Sequence, residues 1–292
     1  MSSPEPHLDR PLAVITGAVS GIGASLAKLL ATRGWRLVLL NRSAERTQPL
    51  LARLRDIDPD GSFHIVEVDL TDHARLHAVA EQVIEQFGAT DALFNNAGVL
   101  SNSLVLSPNG NELQFEVNTI APYLLTRALR PALKQAAEAR GHAVVITPAT
   151  SVLKSQKALD VKNLRHGVKG GLTGAYAQSK LAFAVLNTQL AEEHRDDGIE
   201  CFAVDPGINR TGMTAGSGAP LPVQLLWRLL PKPSAGAARL AAMLDDEWRG
   251  KSGALVMGGK ARRIPAGADA PRVVASLLEL VNATPGDSTP GN

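Results

Sequence analysis

Residues 12–23 read Leu-Ala-Val-Ile-Thr-Gly-Ala-Val-Ser-Gly-Ile-Gly. The run 12–15 is short, wholly apolar and closed by Thr16 and Gly17, the pattern of a strand buried on both faces. Helical spacing of apolar residues then takes over from Ile22 to position 32 and stops at Gly34, so the glycines fall in a strand–turn–helix. Gly17 permits the tight turn, Gly21 lets the backbone approach a pyrophosphate, and Gly23 lets the helix pack closely. The first helical turn, around Ser20 and Ile22, offers unpaired N–H groups and the positive end of a dipole to phosphate. A glycine trio alone also occurs in purely structural turns; between a strand and a helix it predicts a dinucleotide site.

The same alternation runs outward from this stretch. Buried strands are expected at 36–40, 64–68, 92–94, 143–146 and 200–204, with a late one near 254–257. Helices are expected at 76–87, 113–133 and 176–193, and a polar helix follows the second strand. Strands that are apolar on both faces and alternate with helices make a Rossmann-type, doubly wound parallel α/β sheet covered on both sides. No linker or internal repeat divides residues 1–292, so a single domain is expected, with its core at about 11–260. Segments 167–174, 207–222 and 266–271 read as loops, and 284–292 as a frayed tail.

Composition narrows the function classes. Of 292 residues, 45% are hydrophobic and 20% charged, which is ample for a large core and far from disorder. Thirty Lys and Arg against 28 Asp and Glu leave a net charge of +2, which gives no support for a nucleic-acid surface. The single cysteine, Cys201, excludes an internal disulfide and a sulfur-rich zinc site. The seven histidines show no ligand spacing, so no metal is expected. The first ten residues lack an apolar stretch, and no apolar run reaches the ~20 residues of a membrane span. A soluble, cytoplasmic protein acting on a small molecule is the expectation.

Several further positions suggest chemistry. The second strand ends Leu39-Leu40-Asn41-Arg42-Ser43, where NAD-selective sites place a carboxylate. Asn41 does not repel a 2′-phosphate and Arg42 can clamp one, which favours NADP(H). Asp69, followed by Leu70, is placed to meet an adenine amino group, or to cap a helix beginning near Thr71. Small residues in Asn95-Asn96-Ala97-Gly98 let backbone lie against a cofactor. Asn118 stands inside a predicted helix, where Asn is a poor helix former. Tyr176 and Lys180 are four residues apart and share a helix face. Pro206-Gly207-Ile208-Asn209-Arg210-Thr211 follows the strand ending at Val204.

Together and in this order, the segments TGAVSGIG, NNAG, the helical Asn118, YAQSK and PGINRT resemble the short-chain dehydrogenase/reductase family. The interval of 25 residues from Ser151 to Tyr176, with Arg42, is similar to its retinol dehydrogenase-like branch. The resemblance implies an NADP(H)-dependent oxidoreductase that interconverts a carbonyl and an alcohol, on a lipophilic substrate, with a homodimer open to it. Tyr176 would move the proton that accompanies the hydride, its phenol made acidic by Lys180 and an oxidised nicotinamide. Lys180 would also hold the nicotinamide ribose, Asn118 a water leading to solvent, and Thr211 the carboxamide. The serine hydroxyl of the family is displaced here, in Thr147-Pro148-Ala149-Thr150-Ser151. Distance to Tyr176 selects Ser151, with Thr147 and Thr150 as alternatives. That irregularity also motivates a second reading, an NADP(H)-binding sensor or scaffold with little turnover. The apolar stretch 220–231 lies where the family places a substrate lid, and reads equally as a membrane contact or a packed helix.

Overall fold

Alternate residues of the first strand enter opposite cores. In β1 (Leu12–Thr16), Leu12 and Val14 join one cluster of buried side chains, Ala13 and Ile15 the other. The computed structural model describes residues 10–101, 103–150, 153, 158–167, 171–207, 209, 231–264 and 271–283. Its strands are β1, β2 (Arg36–Asn41), β3 (Phe63–Glu67), β4 (Ala92–Phe94), β5 (Ala143–Pro148), β6 (Ile199–Val204), β7 (Leu255–Met257) and β8 (Lys260–Arg262). They form one sheet in the order β3-β2-β1-β4-β5-β6-β7-β8, parallel throughout except for the antiparallel β7–β8 pair. The order reverses between β1 and β4, the switch point at which such sheets open a crevice.

Helices cover both faces, as expected. On one side α1 (Gly21–Thr32), α2 (Ala44–Ile57) and α8 (Pro233–Ala241) bury Leu26, Leu30, Leu54 and Leu240. On the other lie α3 (His73–Phe87), α5 (Ala121–Ala128), α6 (Arg130–Arg140), α7 (Gly171–Glu193) and α9 (Pro271–Asn282). Each fully buried Leu or Val contributes about 2 kcal/mol of transfer free energy, so the two cores hold the strand ends in place.

The helix expected at 113–133 is not continuous. A short α4 (Leu113–Phe115) runs into a π-helical turn, Glu116–Ile120, before α5 begins. There the Ala121 N–H donates to the Glu116 carbonyl, five residues back. Pro122 supplies the reason: it has no N–H to give the Asn118 carbonyl, its α-helical partner. Pro131 plays a similar part at the break between α5 and α6.

The strand expected at 143–146 extends through Pro148. Even-numbered residues of β5 bond towards β4, as in Val144 N–H to Asp91 and Asn95 N–H to Ile146, while odd-numbered ones bond towards β6, as in Ala149 N–H to Val204. Pro148 therefore turns its missing donor to the side that β4 has already left. The segment 167–174 is not all loop, because α7 begins at Gly171. Neither β8 nor α9 was expected; α9 packs Val274, Leu277 and Val281 at helical spacing.

Candidate active site

The glycine turn sits at the C-terminal end of β1, beside the loop that follows β4. Gly17 has φ +69°, and a Cβ there would come within 2.7 Å of the Ala97 Cα. At Gly23 a Cβ would come within 2.5 Å of the Gly17 carbonyl oxygen, on the side where the Asn96 amide lies. That amide donates to the carbonyls of Thr16 and Gly17, each at 3.0 Å, and the Ala97 N–H donates to the Thr16 hydroxyl at 2.9 Å. Asn96 and Ala97 thus brace the turn from the loop, and Gly98 follows them half-buried. Ser20 is exposed at the N-cap of α1 with its side chain making no cap hydrogen bond, next to Gly21 and Ile22.

At the end of β2 the Asn41 side-chain oxygen, Oδ1, accepts from the Ala18 N–H at 2.8 Å, which fastens the turn from a third side. Its Nδ2 is buried without a partner. Arg42 is exposed, with no side-chain partner among the described residues. Asp69 is exposed and accepts from both the N–H and the hydroxyl of Thr71 at 2.9 Å. It does not cap the following helix; Asp72 does so, accepting from the Arg75 N–H at 2.9 Å. Leu70 packs partly against the core.

Asn118, in the π-helical turn, is fully buried. Its side chain exchanges both hydrogen bonds with the Val99 main chain, at 2.9 Å each, and donates to the Ser179 hydroxyl at 3.1 Å. This ties the turn to α7 between Tyr176 and Lys180. Lys180 is 4% exposed, and its ammonium has no hydrogen-bond or ion-pair partner among the described residues. Burial pushes that ammonium down to about 8. Burial likewise pushes the Tyr176 phenol up to about 12, and the charge of Asp205 adds in the same direction. In the chain by itself the phenol therefore moves up, not down, from its ordinary value.

Asp205 follows β6, and its carboxylate accepts from the Gly207 N–H at 2.9 Å. The Pro206 carbonyl is held by the Asn209 amide and the Arg239 guanidinium, both at 2.8 Å. Asn209 also reaches the Gly207 carbonyl at 2.7 Å and accepts from the Gly236 N–H at 3.2 Å, which docks this loop on α8. Asn209 and Arg239 were not singled out by sequence, although Asn209 lies within the quoted PGINRT segment.

Ser151, Ile208, Thr211 and the stretch 220–230 lie outside the described residues. Of the alternative hydroxyls, Thr147 is 1% exposed and accepts from the Asn95 amide at 3.2 Å, so it is committed to the sheet's interior. Thr150 is half-buried at the strand end. Among the described residues no group of three His, Cys, Asp or Glu could hold a metal ion, and no helix is long and apolar enough to cross a membrane.

These features fit a dinucleotide. The turn leaves no room for a Cβ at two glycines, an uncapped serine stands at a helix N-terminus, the Asn41 amide donor is buried without a partner, and the buried Lys180 has no hydrogen-bond or ion-pair partner among the described residues.

Residues 11–160 match the family model for short chain dehydrogenase. The chain is 34% identical over 231 residues to dehydrogenase/reductase SDR family member 13 of Bos taurus, covering 77% of this chain and 59% of that one. It is 30% identical over 216 residues to retinol dehydrogenase 12 of Mus musculus, covering 74% of this chain and 66% of that one. The alignments thus span 59% and 66% of these relatives' lengths. The crystal structure of levodione reductase shares the fold, with a TM-score of 0.68 at 22% identity over 84% of this chain and 95% of that one.

Proposed function

This chain belongs to the short-chain dehydrogenase family, and we propose that it is an NADP(H)-dependent oxidoreductase that interconverts a carbonyl and an alcohol on a lipophilic substrate. The observation that carries this reading is a buried Lys180, without an ammonium partner among the described residues, one helical turn from Tyr176 on the helix tied to Asn118. The names of the retinol dehydrogenase relatives, and the exposed apolar run Leu104, Val105 and Leu106 beyond the NNAG loop, support a greasy substrate.

Gly17, Ser20, Gly21, Ile22 and Gly23 would take the pyrophosphate, Asp69 and Leu70 the adenine, and Arg42 the 2′-phosphate. Ala97 and Gly98, with Asn96 bracing them, would line the dinucleotide's path, while Pro206, Gly207, Ile208 and Thr211 would hold its nicotinamide end. When bound, the dinucleotide supplies or accepts the hydride. Tyr176 gives its proton to the substrate oxygen in reduction and recovers one in oxidation. A phenol that burial keeps protonated is suited to the first of these. Lys180 stabilises the negative charge left on the Tyr176 oxygen, and Ser151 donates a hydrogen bond to the substrate oxygen. Asn118 would hold a water through its main-chain carbonyl, because its side chain is already committed and Pro122 withholds the α-helical donor.

The test is NADPH oxidation with a panel of aldehydes and ketones from butanal to decanal. Wild-type protein turns over members of the panel, and Tyr176→Phe loses about a thousandfold in kcat while binding NADPH normally. Arg42→Ala weakens NADPH by about tenfold and leaves NADH unchanged. Tight NADPH binding with no turnover across the panel would overturn this reading in favour of a sensor or scaffold.

A further inference from the structure

The tie between the π-helical turn and α7 uses a side chain that the chemistry above does not. Ser179 precedes Lys180 and is fully buried. Its hydroxyl accepts from Asn118 Nδ2 at 3.1 Å and donates to the Tyr176 carbonyl at 2.8 Å. Its own carbonyl accepts from the Thr119 hydroxyl at 2.7 Å. A hydroxyl has one proton to give, so its direction here is fixed: amide to hydroxyl to carbonyl. The Tyr176 carbonyl is also the acceptor to which an α-helix assigns the Lys180 N–H. The Ser179 bond therefore lands on the single turn that sets the spacing of phenol and ammonium. At its other end the chain of bonds reaches, through Asn118, the Val99 main chain just past the NNAG loop.

We propose that Ser179 is a positioning residue that holds the Tyr176–Lys180 turn against Asn118 and so against the loop beside the dinucleotide cleft. The inference rests on the functional reading above and deepens it. Without the Ser179 hydroxyl one Asn118 N–H is left buried with no acceptor, which forces water in or pushes the π-helical turn and α7 apart. Either response moves the proton-transfer groups relative to the substrate. The glycine turn and the end of β2, which share no hydrogen bond with Ser179, stay as they are.

Ser179→Ala should lower kcat between about ten- and a hundredfold and raise the KM for NADPH by far less, because the glycine turn and Arg42 are untouched. Rates are normalised to bound NADPH, so a poorly folding fraction does not count as a catalytic loss. Ser179→Thr keeps a hydroxyl able to bond back to the helix and recovers most of the rate. Adding Ser179→Ala to Asn118→Ala costs little more than Asn118→Ala alone. Tyr176→Phe is assayed alongside: if it keeps full rate, or the wild type has none, the functional reading itself fails. If Tyr176→Phe is inactive while Ser179→Ala runs at full rate, or its loss is not recovered by Ser179→Thr, only this inference fails.

Discussion

Lys180 puts a positive charge where the fold gives it no counter-charge among the described residues, a cost to stability that the proposed chemistry would explain. Its ammonium falls from 10.5 in the unfolded chain to about 8 in the folded one. Between those values the unfolded chain holds more protons, so stability rises with pH across that window and the full penalty applies below about 8. The penalty is about 3 kcal/mol. Tyr176 has the opposite sense: its raised phenol stabilises the fold below pH 10, and that contribution is lost as pH rises towards about 12. The interval from about 8 to 10 therefore belongs to the lysine. In urea unfolding of the dinucleotide-free protein at pH 7, Lys180→Met should be more stable than wild type by up to about 3 kcal/mol. It should also lose the rise in stability above pH 8. A Met variant less stable than wild type would mean that the ammonium has a partner in the native state.

The π-helical turn is where one element decides the geometry of another. Glu116, at its start, is fully buried. Burial pushes its carboxyl up, but hydrogen bonds from His73, Asn111 and Ser107 outweigh that and hold it below its ordinary value. Those bonds moor the turn to α3 and to the loop before α4, while Asn118 moors it to α7. Pro122→Ala restores the missing donor, lets the α-helix run on, and should lower kcat at least about tenfold without lowering Tm. A fall in Tm with kcat unchanged would contradict this account of the turn. Apolar periodicity reads straight through residues 113–133 as a single helix, because it registers which faces are buried and not which hydrogen bond is missing; the signal was Pro122, four residues after Asn118. The start of α7 was hidden for a related reason: Gly171 and Gly174 have loop propensity, yet the helix begins at Gly171. The buried spacing of Val274, Leu277 and Val281 in α9 was legible and simply lies beyond the family-like core.

At the scale of the molecule, the two-faced alternation in β1 and β2 carried the architecture, because burial on both sides leaves few alternatives to a helix-covered parallel sheet. The motif residues that the structure describes were legible too, since they cluster just past the C-terminal ends of strands or on the helices after them. What stayed hidden were the braces between them. Asn96 holds a turn 80 residues upstream, and Arg239 reaches 33 residues back to the Pro206 carbonyl. Such contacts exist only once the sheet has brought its strand ends together, so no local pattern announces them. The whole arrangement serves one claim, that this cleft moves a hydride between a dinucleotide and a carbonyl with Tyr176 as the proton donor. Incubation with decanal and NADPH deuterated at both C4 positions, followed by mass spectrometry of the alcohol, tests it directly. One deuterium per product molecule with the wild type, and labelled alcohol formed about a thousandfold more slowly with Tyr176→Phe, is the predicted result; unlabelled alcohol from the wild type, or labelled alcohol at full rate from Tyr176→Phe, would contradict it.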